Sequence, residues 1–391
     1  MQWAAPLADS WSHPSTRIRL LQSAITGRPD RGDLWRHLGE LLAVEGRPGE
    51  SIEAYAQALR TDPSELSSWS GMVRGYVQAG RAEAALAVAA PSDAPGLDQA
   101  RGDAFLQLGE IPRGEAALRA AIFHDDLYSR AALRRLLELM ALNEDGAPTL
   151  ALCDALPDRL SRTAYARAFR AIALSRVGRT AEARRLVDLE RHVVRLPFSP
   201  PPETGGPAMF NDALAKAILT APDRGDPGNS EYAGREIRYQ PPAARDPRFS
   251  ALYAFIRDAL VRFVDLMPGM GLDEVMFPPP AVGAFGTANT VLRAEGRNGQ
   301  HIHGKSYISS VYHVLLPNTE DDTRGSLVLG CCDQQTGGYQ PCWGTRVLKP
   351  MAGWLTLFPA HFFHDVIPSG KDEPRISIAS DLLSAENVQA G

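Results

Sequence analysis

The sequence predicts an α+β multidomain protein, in which an all-α half precedes a half built mainly from β-strands. Composition is the first observation that predicts this division. Residues 1–195 contain 35 Ala and 10 Pro, whereas residues 196–391 contain 20 Ala and 20 Pro. Alanine favours helix interiors and proline opposes them, so only the first half has the composition of a helical region. The second observation is a series of strand-length segments after Pro280, which predicts a β-sandwich or jelly roll with flanking helices.

The overall composition excludes several classes of protein. With 44% hydrophobic and 22% charged residues, the 391-residue chain has the composition of a globular protein. Its net charge of −5 gives no basic surface for nucleic acid or for an anionic membrane. No apolar run approaches the roughly 18 residues of a membrane span, and the N-terminus has no basic segment followed by an apolar one. We therefore expect a cytoplasmic protein without a membrane partner.

The first half carries a repeat of about 34 residues, which should be identified before local structure is assigned. Trp69 follows Trp35 by 34 residues. The first copy matches the tetratricopeptide (TPR) pattern at Trp35, Leu38, Gly39, Leu42, Tyr55, Ala58 and Pro63. Glycines that would end a helix recur at Gly46, Gly80, Gly109, Gly146 and Gly178. We predict a TPR-like array over residues 15–195, whose groove would bind a partner peptide, although a spacer or dimerisation surface is the alternative.

A change in composition marks the predicted junction. Residues 196–209 are rich in Pro and Gly, which cannot continue a helix, and are predicted to form a linker. The second domain is predicted over residues 210–391. Its predicted helices are Asn211 to Leu219 and Phe249 to Leu266, separated by an irregular connection from Asp223 to Asp246. The predicted strands are Thr290 to Leu292, Tyr307 to Leu316, Ser326 to Leu329, Gly353 to Phe358, and Ile376 to Ser380.

A metal-binding pattern lies in the second half. His301-x-His303 precedes a predicted strand, and alternation along an extended segment would place both imidazoles on one side, where they can chelate one ion. His364 follows about 60 residues later, and Arg375-x-Ser377 lies beyond it. A planar guanidinium with a neighbouring hydroxyl suits a carboxylate, because it can grip both oxygens. This order of residues is the one that an iron(II) oxygenase of jelly-roll type requires.

The chain resembles the bacterial 2-oxoglutarate- and Fe(II)-dependent oxygenases that often follow TPR repeats. Besides these motifs, the resemblance rests on Ser309 to Val314, Gly325 to Leu327, Phe358-Pro359, His364 to Pro368, and Arg375 to Ile378. It covers residues from about 210 to 383 and implies a double-stranded β-helix, a jelly-roll or cupin-like fold. It also implies Fe(II), 2-oxoglutarate and O2 as cofactor and cosubstrates. By the same resemblance His301 and His364 are iron ligands, while Arg375 and Ser377 bind 2-oxoglutarate.

The sequence departs from the family at His303, which stands where the usual facial triad has Asp or Glu. Three interpretations stay open. His303 is the third ligand, it lies beside the ion and leaves two histidines and water, or a carboxylate from elsewhere completes the triad. Asp365 is a poor candidate because it would point away from its neighbour on a strand, whereas Glu295 and Asp333 remain candidates. We favour His303, so the predicted catalytic and metal-binding set is His301, His303 and His364.

Other residues near these motifs receive secondary predictions. Asn289 and Tyr312 are predicted to line the 2-oxoglutarate pocket. His313 is expected to be a packed core residue, and His361 to lie outside the metal site or on the surface. The three cysteines of this half show no metal-binding spacing, which favours ordinary reduced thiols over a second metal site.

The resemblance implies oxidation of a substrate C–H bond, with hydroxylation as the default outcome. The repeat array argues for a protein or peptide substrate bound in its groove. One alternative is a small-molecule oxygenase whose repeats serve oligomerisation, and another is a non-catalytic adaptor with a degenerate barrel. The intact His364 and Arg375-x-Ser377 argue against the adaptor, since a degenerate pocket needs no cosubstrate anchor. The sequence leaves the oligomeric state open.

Overall fold

The computed structural model of the chain describes residues 2–3, 14–124, 128–223, 235–238, 246–272, 276, 282–319 and 323–383. The chain forms two compact units, one of Ser10–Leu139 and one of Met1–Asp9 with Met140–Gly391. Most of the connection predicted over 223–246 lies outside the described residues. Among the helices of the described residues, none is long and apolar enough to cross a membrane.

The first unit is helical, as predicted. Its helices are α1 (Pro14–Gly27), α2 (Gly32–Val44), α3 (Pro48–Thr61), α4 (Leu66–Gln78), α5 (Ala82–Ala87), α6 (Leu97–Gln107), α7 (Ile111–Phe123) and α8 (Ser129–Met140). Gly46, Gly80 and Gly109 lie just beyond α2, α4 and α6 in the left-handed backbone region, with φ of 69°, 69° and 74°. Glycine is favoured there because it has no β-carbon to clash.

The helix hairpins repeat in detail. After α2, α4 and α6, the residue that follows the glycine donates its N–H to a carbonyl of the last helical turn, through Arg47 to Leu42, Arg81 to Tyr76, and Glu110 to Phe105. Trp35 and Trp69 each donate their indole N–H to a proline carbonyl six residues earlier, at 3.0 and 3.1 Å. Gly146 differs, since it has a right-handed backbone and precedes a helix. The TPR character of the array stays a prediction.

Tyr55 shows why small residues recur in this unit. Its ring is buried, with 3% of the residue exposed. A β-carbon added at Gly39 of α2 would lie 3.0 Å from this ring, and one added at Gly71 of α4 would overlap it. The absence of a side chain at both positions lets three successive helices pack closely around one aromatic ring.

The second unit contains the remaining helices and the strands. Its helices are α9 (Ala147–Ala155), α10 (Asp158–Ser161), α11 (Ala164–Arg176), α12 (Thr180–Leu186), a 3-10 turn (Pro202–Thr204), α13 (Pro207–Thr220) and α14 (Pro247–Met270). Its strands are β1 (Gln2–Trp3), β2 (Val194–Pro197), β3 (Arg235–Arg238), β4 (Val282–Gly283), β5 (Phe285–Leu292), β6 (Ser306–Leu315), β7 (Leu327–Leu329), β8 (Arg346–Leu348), β9 (Trp354–Pro359), β10 (His364–Val366) and β11 (Arg375–Leu383).

Two antiparallel sheets dominate this unit. One has six strands in the order β2-β9-β6-β11-β5-β3, and the other has three in the order β10-β7-β8. β1 and β4 form a short parallel pair. The five predicted strands correspond to β5, β6, β7, β9 and β11, whereas the short strands β2, β3, β8 and β10 were not predicted. The strand-rich second half is therefore confirmed, and the jelly-roll arrangement stays a prediction.

Alternation along β11 separates the two faces of the six-stranded sheet. Ile376 and Ile378 belong to a hydrophobic core that includes Phe210 of α13 and Ile256 of α14. The residues between and beyond them, including Arg375 and Ser377, point to the other face. That second face looks towards a separate core formed by the three-stranded sheet with α9, α11 and α12.

The chain between residues 140 and 195 packs with the sheets. Phe169 of α11 contacts Phe363 edge to face, with the ring centroids 5.7 Å apart. His361 lies 2.8 Å from the carbonyl oxygen of Leu186. The segment predicted to be a linker begins with residues that belong to β2, which pairs with β9. The compact unit thus begins before the domain boundary predicted at residue 195, and the domain assignment stays a prediction.

We expect Gly71→Ala to lower the free energy of unfolding by about 1–3 kcal/mol, because the new methyl group would overlap the Tyr55 ring in a filled core. Gly49→Ala is the matched control. A β-carbon at this exposed helical position would contact nothing within 4 Å, so the greater helix propensity of alanine should leave stability equal or up to about 1 kcal/mol higher. Chemical denaturation of the full chain measures both. Equal stability of the two variants would contradict this account of the packing.

Candidate metal centre

Two histidines from distant parts of the sequence are joined through the backbone. His301 and His364 form an antiparallel bridge, in which His301 N–H donates to the His364 carbonyl at 3.1 Å and His364 N–H donates to the His301 carbonyl at 3.0 Å. His303 N–H donates to the Ala360 carbonyl at 3.2 Å. The segment before β6 is thus paired with the chain around β10, which brings the predicted ligands together.

The three imidazoles converge on one point. One ring nitrogen from each of His301, His303 and His364 lies within 4.8 Å of the other two. The Nε2 atoms of His301 and His303 are 3.1 Å apart. Both rings of the His-x-His motif therefore lie on the same side of the extended segment, as alternation predicts. Such a cluster can hold one transition-metal ion through neutral imidazole nitrogens.

The opposite nitrogen of each ring faces a hydrogen-bond acceptor. Nδ1 of His301 lies 2.6 Å from the carbonyl oxygen of Gly299, and Nδ1 of His364 lies 3.0 Å from that of Phe362. Nδ1 of His303 lies 2.6 Å from Oδ2 of Asp381. Because each acceptor requires a donor, we assign the neutral rings a proton on Nδ1, which leaves the Nε2 lone pairs available to a metal.

Burial sets the protonation of two of these rings. Burial and the nearby His303 imidazole lower the pKa of His301 to about 4. Burial, with the neighbouring His301 and His303, lowers the pKa of His364 well below its usual value. Burial also opposes a charge on His303, but the charge of Asp381 and its hydrogen bond outweigh this effect and raise the pKa. His301 and His364 are therefore neutral near pH 7, as metal binding requires.

No carboxylate joins the histidine cluster within the part of the chain that the structure describes. Asp365 accepts a hydrogen bond from Val366 N–H at 2.6 Å. Asp333 accepts one from the side chain of Gln300 at 2.5 Å, and Glu295 is exposed. The geometry thus favours the three-histidine interpretation over a carboxylate at one of these positions.

A buried cation lies on the same inner face of the sheet. Arg375 at the start of β11 is 2% exposed. Its Nε donates to the Gly325 carbonyl at 3.0 Å, and Nη1 donates to the Ser377 hydroxyl at 3.3 Å. Burial lowers the pKa of this guanidinium to about 10. No carboxylate of the described residues forms an ion pair with it, so the site is suited to an anion supplied from outside the protein.

The structure does not bring Asn289 and Tyr312 to this face. Both pair with Ile378 of β11, and directly paired residues of an antiparallel ladder point to the same side. Ile378 and Tyr312 belong to the core beneath α13 and α14, where the Tyr312 hydroxyl donates to Asn211 at 2.7 Å. Their predicted role in the 2-oxoglutarate pocket stays a prediction that the register of the sheet disfavours.

Sequence reasoning did not assign two residues of the inner face to the site. His313, predicted to be a packed core residue, pairs with Ser377 and is 1% exposed. Its Nδ1 has no hydrogen-bond partner among the described residues. Asp381, the partner of His303, lies four positions beyond Ser377 on the same face. Alternation along β11 was the signal for Asp381, because Arg375, Ser377 and Asp381 are all at odd positions of one strand.

Several other side chains near these motifs lie outside the histidine cluster. His361 is buried rather than on the surface, with 2% exposed. Cys331 and Cys332 are free and buried, and burial raises the pKa of both thiols, that of Cys332 to about 12. Neither belongs to a metal-binding group of the described residues. Trp343 donates its indole N–H to the Gly330 carbonyl at 3.3 Å.

Comparison with known proteins confirms the resemblance noted in the sequence. Residues 289–381 match the family model described as "Putative 2OG-Fe(II) oxygenase". This range contains the three histidines, Arg375, Ser377 and Asp381. Among curated proteins, no match to the chain was found.

Solved structures also show similarity. A prolyl-4-hydroxylase from Pseudomonas putida is 15% identical over 49% of this chain and 93% of its own, with a TM-score of 0.32. A prolyl hydroxylase from Trichoplax adhaerens, in complex with a hypoxia inducible factor oxygen degradation domain peptide, is 12% identical over 56% of this chain and 93% of its own, with a TM-score of 0.35. MamA is 14% identical over 46% of this chain and 99% of its own, with a TM-score of 0.30.

We expect the chain to bind one Co(II) or Fe(II) ion anaerobically, and His301→Ala, His303→Ala and His364→Ala each to weaken binding at least 100-fold. The loss of a ligand should exceed the 10–100-fold that the loss of an outer partner costs. His37→Ala, an exposed position on α2, is the matched control. Titration followed by visible absorption of Co(II) measures the affinities. Unchanged affinity in His303→Ala would exclude this residue as the third ligand.

Proposed function

We propose that the protein is an Fe(II)- and 2-oxoglutarate-dependent dioxygenase that oxidises a C–H bond of a protein or peptide substrate. One observation carries the proposal: three imidazoles converge beside a sheet whose inner face also presents a buried arginine that forms no ion pair within the described residues. The imidazoles are complementary to a metal ion, and the guanidinium is complementary to a carboxylate that binds through both of its oxygens. The family match over residues 289–381 supports the same assignment.

His301, His303 and His364 would hold the iron through Nε2. When bound, Fe(II) with 2-oxoglutarate supplies the oxidising chemistry, in which O2 is activated as 2-oxoglutarate is converted to succinate and CO2. The chain fixes the three rings through the carbonyls of Gly299 and Phe362 and through Asp381. Rings held in this way do not have to reorganise when a metal binds.

Arg375 and Ser377 would bind the carboxylate of 2-oxoglutarate that lies farther from the metal. The guanidinium is already oriented by the Gly325 carbonyl, and Ser377 stands beside it with a hydroxyl that can donate to the second carboxylate oxygen. His313, paired with Ser377, lines the same region and burial keeps its pKa well below the usual value. Burial and the nearby Arg375 thus keep His313 neutral beside the guanidinium, whose charge suits a carboxylate ligand.

Aromatic side chains pack around His364, which is the buried ring of the three, whereas His301 and His303 are partly exposed. Phe358 contacts His364 edge to face, with centroids 5.1 Å apart, and is itself buried. Phe363, next to His364, packs on Phe169 of α11. Exclusion of water from the His364 side of the cluster strengthens the electrostatic contacts of that ring.

The substrate class is inferred from the helical unit. Its successive hairpins share a helix-ending glycine and the same terminal hydrogen bonds, as in arrays that present a concave peptide-binding surface. A small-molecule oxygenase would need no such unit for recognition. Peptide recognition is therefore the assignment that gives both compact units a role in one reaction.

We expect anaerobic addition of 2-oxoglutarate to the Fe(II)-loaded protein to produce a weak visible charge-transfer band. Arg375→Met should weaken 2-oxoglutarate binding by about 100-fold, since charge-assisted hydrogen bonds contribute about 1.5–3 kcal/mol each and about 1.4 kcal/mol corresponds to tenfold in affinity. Metal affinity should stay unchanged, because Arg375 is not a ligand. Arg257→Met, at an exposed position of α14, is the control. A protein that shows neither the band nor succinate formation would refute the oxygenase.

We expect removal of residues 1–139 to abolish modification of the natural target while slow, substrate-independent conversion of 2-oxoglutarate to succinate continues. The cut lies at the boundary of the compact units between Leu139 and Met140, so that α11, α12 and β2 stay with the sheets, and of the retained unit it removes only Met1–Asp9 with β1. Mass spectrometry of the target and succinate assays measure the two activities. If the shortened chain still modified its target at the full rate, a small-molecule or array-independent substrate would be favoured.

A further inference from the structure

We infer that Asp381 is a positioning residue for the metal. It holds the His303 ring as the third ligand and, through that ring, supplies the negative charge that the histidine triad lacks. This inference rests on the proposed function and deepens it. Asp381 lies near the end of β11, whereas His303 precedes β6. The two strands are neighbours in the six-stranded sheet, and Asp381 pairs with Ser309 of β6. The contact therefore depends on the sheet itself.

His303 is held differently from the other two rings. The Nδ1 acceptors of His301 and His364 are backbone carbonyls two residues earlier in the same segment. The acceptor of His303 is a carboxylate from another strand, at an Nδ1 to Oδ2 distance of 2.6 Å. Local backbone conformation thus orients two rings, and a charged tertiary contact orients the third. A carboxylate acceptor also makes an imidazole a stronger electron donor than a carbonyl does.

The charge of the site gives Asp381 its second effect. Three neutral imidazoles leave the full charge of a divalent ion uncompensated, whereas a two-histidine, one-carboxylate triad removes one unit. Asp381 is not within the group of converging ligand atoms, so its charge acts through the His303 ring. Among the described residues, the His303 ring is the hydrogen-bond partner of Oδ2, and Oδ1 is buried without a partner.

Two other roles for this contact make opposite predictions. If Asp381 only pairs with a protonated His303, its removal would relieve competition from the proton and tighten metal binding. If Asp381 itself binds the metal, its removal would weaken binding even when His303 is absent. A positioning residue weakens binding when it is removed, but only while His303 is present.

The experiment is a double-mutant cycle on the full chain, with Co(II) binding followed anaerobically by visible absorption. We expect Asp381→Asn to weaken Co(II) binding about 10-fold, since the shape is kept and the charge is lost, and Asp381→Ala to weaken it towards 100-fold. In a His303→Ala background, Asp381→Asn should change affinity by less than about twofold. Glu373→Gln removes an exposed carboxylate and is the charge-matched control, with wild-type affinity expected.

Unchanged or tighter binding in Asp381→Asn would overturn the inference, and so would a large loss on adding Asp381→Asn to His303→Ala. A wild-type chain that binds no Co(II) would refute the metal centre itself, and the inference with it. The inference alone fails if the wild-type chain binds Co(II) and converts 2-oxoglutarate, and Asp381→Asn binds Co(II) with the same affinity as the wild type. Melting temperatures identify any variant that fails to fold. If Asp381→Ala fails to fold, the nearly isosteric Asp381→Asn variant still decides the test.

Discussion

The reciprocal backbone hydrogen bonds between His301 and His364 are the constraint on which the candidate site depends. They join the segment before β6, a strand of the larger sheet, to β10, the edge of the smaller one. A bridge of this kind places two side chains on the same side of the ladder at short separation. Main-chain pairing thus sets the positions of His301 and His364, whereas the His303 ring is oriented by its contact with Asp381.

Strand β11 contributes the other half of the site through alternation. Its inner face carries Arg375, Ser377 and Asp381, and its outer face carries the apolar residues that pack beneath α13 and α14. One strand therefore carries the proposed cosubstrate anchor at one end and, at the other, the carboxylate that contacts the His303 ring. The buried Arg375 has an energetic cost, because a guanidinium with no carboxylate partner in the described residues is unfavourable until an anion binds. A group of this kind is typical of a binding site and unusual in a core built only for stability.

The second compact unit shows that helices α9 to α12 belong with the sheets they contact. Phe169 and the Leu186 carbonyl each meet a side chain next to β10, and β2 extends the larger sheet by one strand. Their composition resembles that of the preceding helices, yet the apolar faces of α9, α11 and α12 pack in the core beside the three-stranded sheet. Sequence composition records helix propensity, whereas the partner of each helix depends on which surface it meets in the folded chain.

The sequence by itself determined the helical first half and the strand-rich second half, because propensity and alternation are local properties. It also singled out the three histidines, Arg375 and Ser377 as candidate site residues, because their chemistry and order along the chain can be read without the fold. It also located Gly46, Gly80 and Gly109 as helix ends, since a left-handed backbone favours glycine. Only the tertiary structure decided that Asp381 meets His303, that Tyr312 and Asn289 lie on the opposite face, and that β10 forms at all. Those outcomes depend on strand pairing and sheet register, which join segments about 35 or more residues apart. Periodicity within one strand shows which of its residues share a face, but it does not show which residues of another strand they will meet.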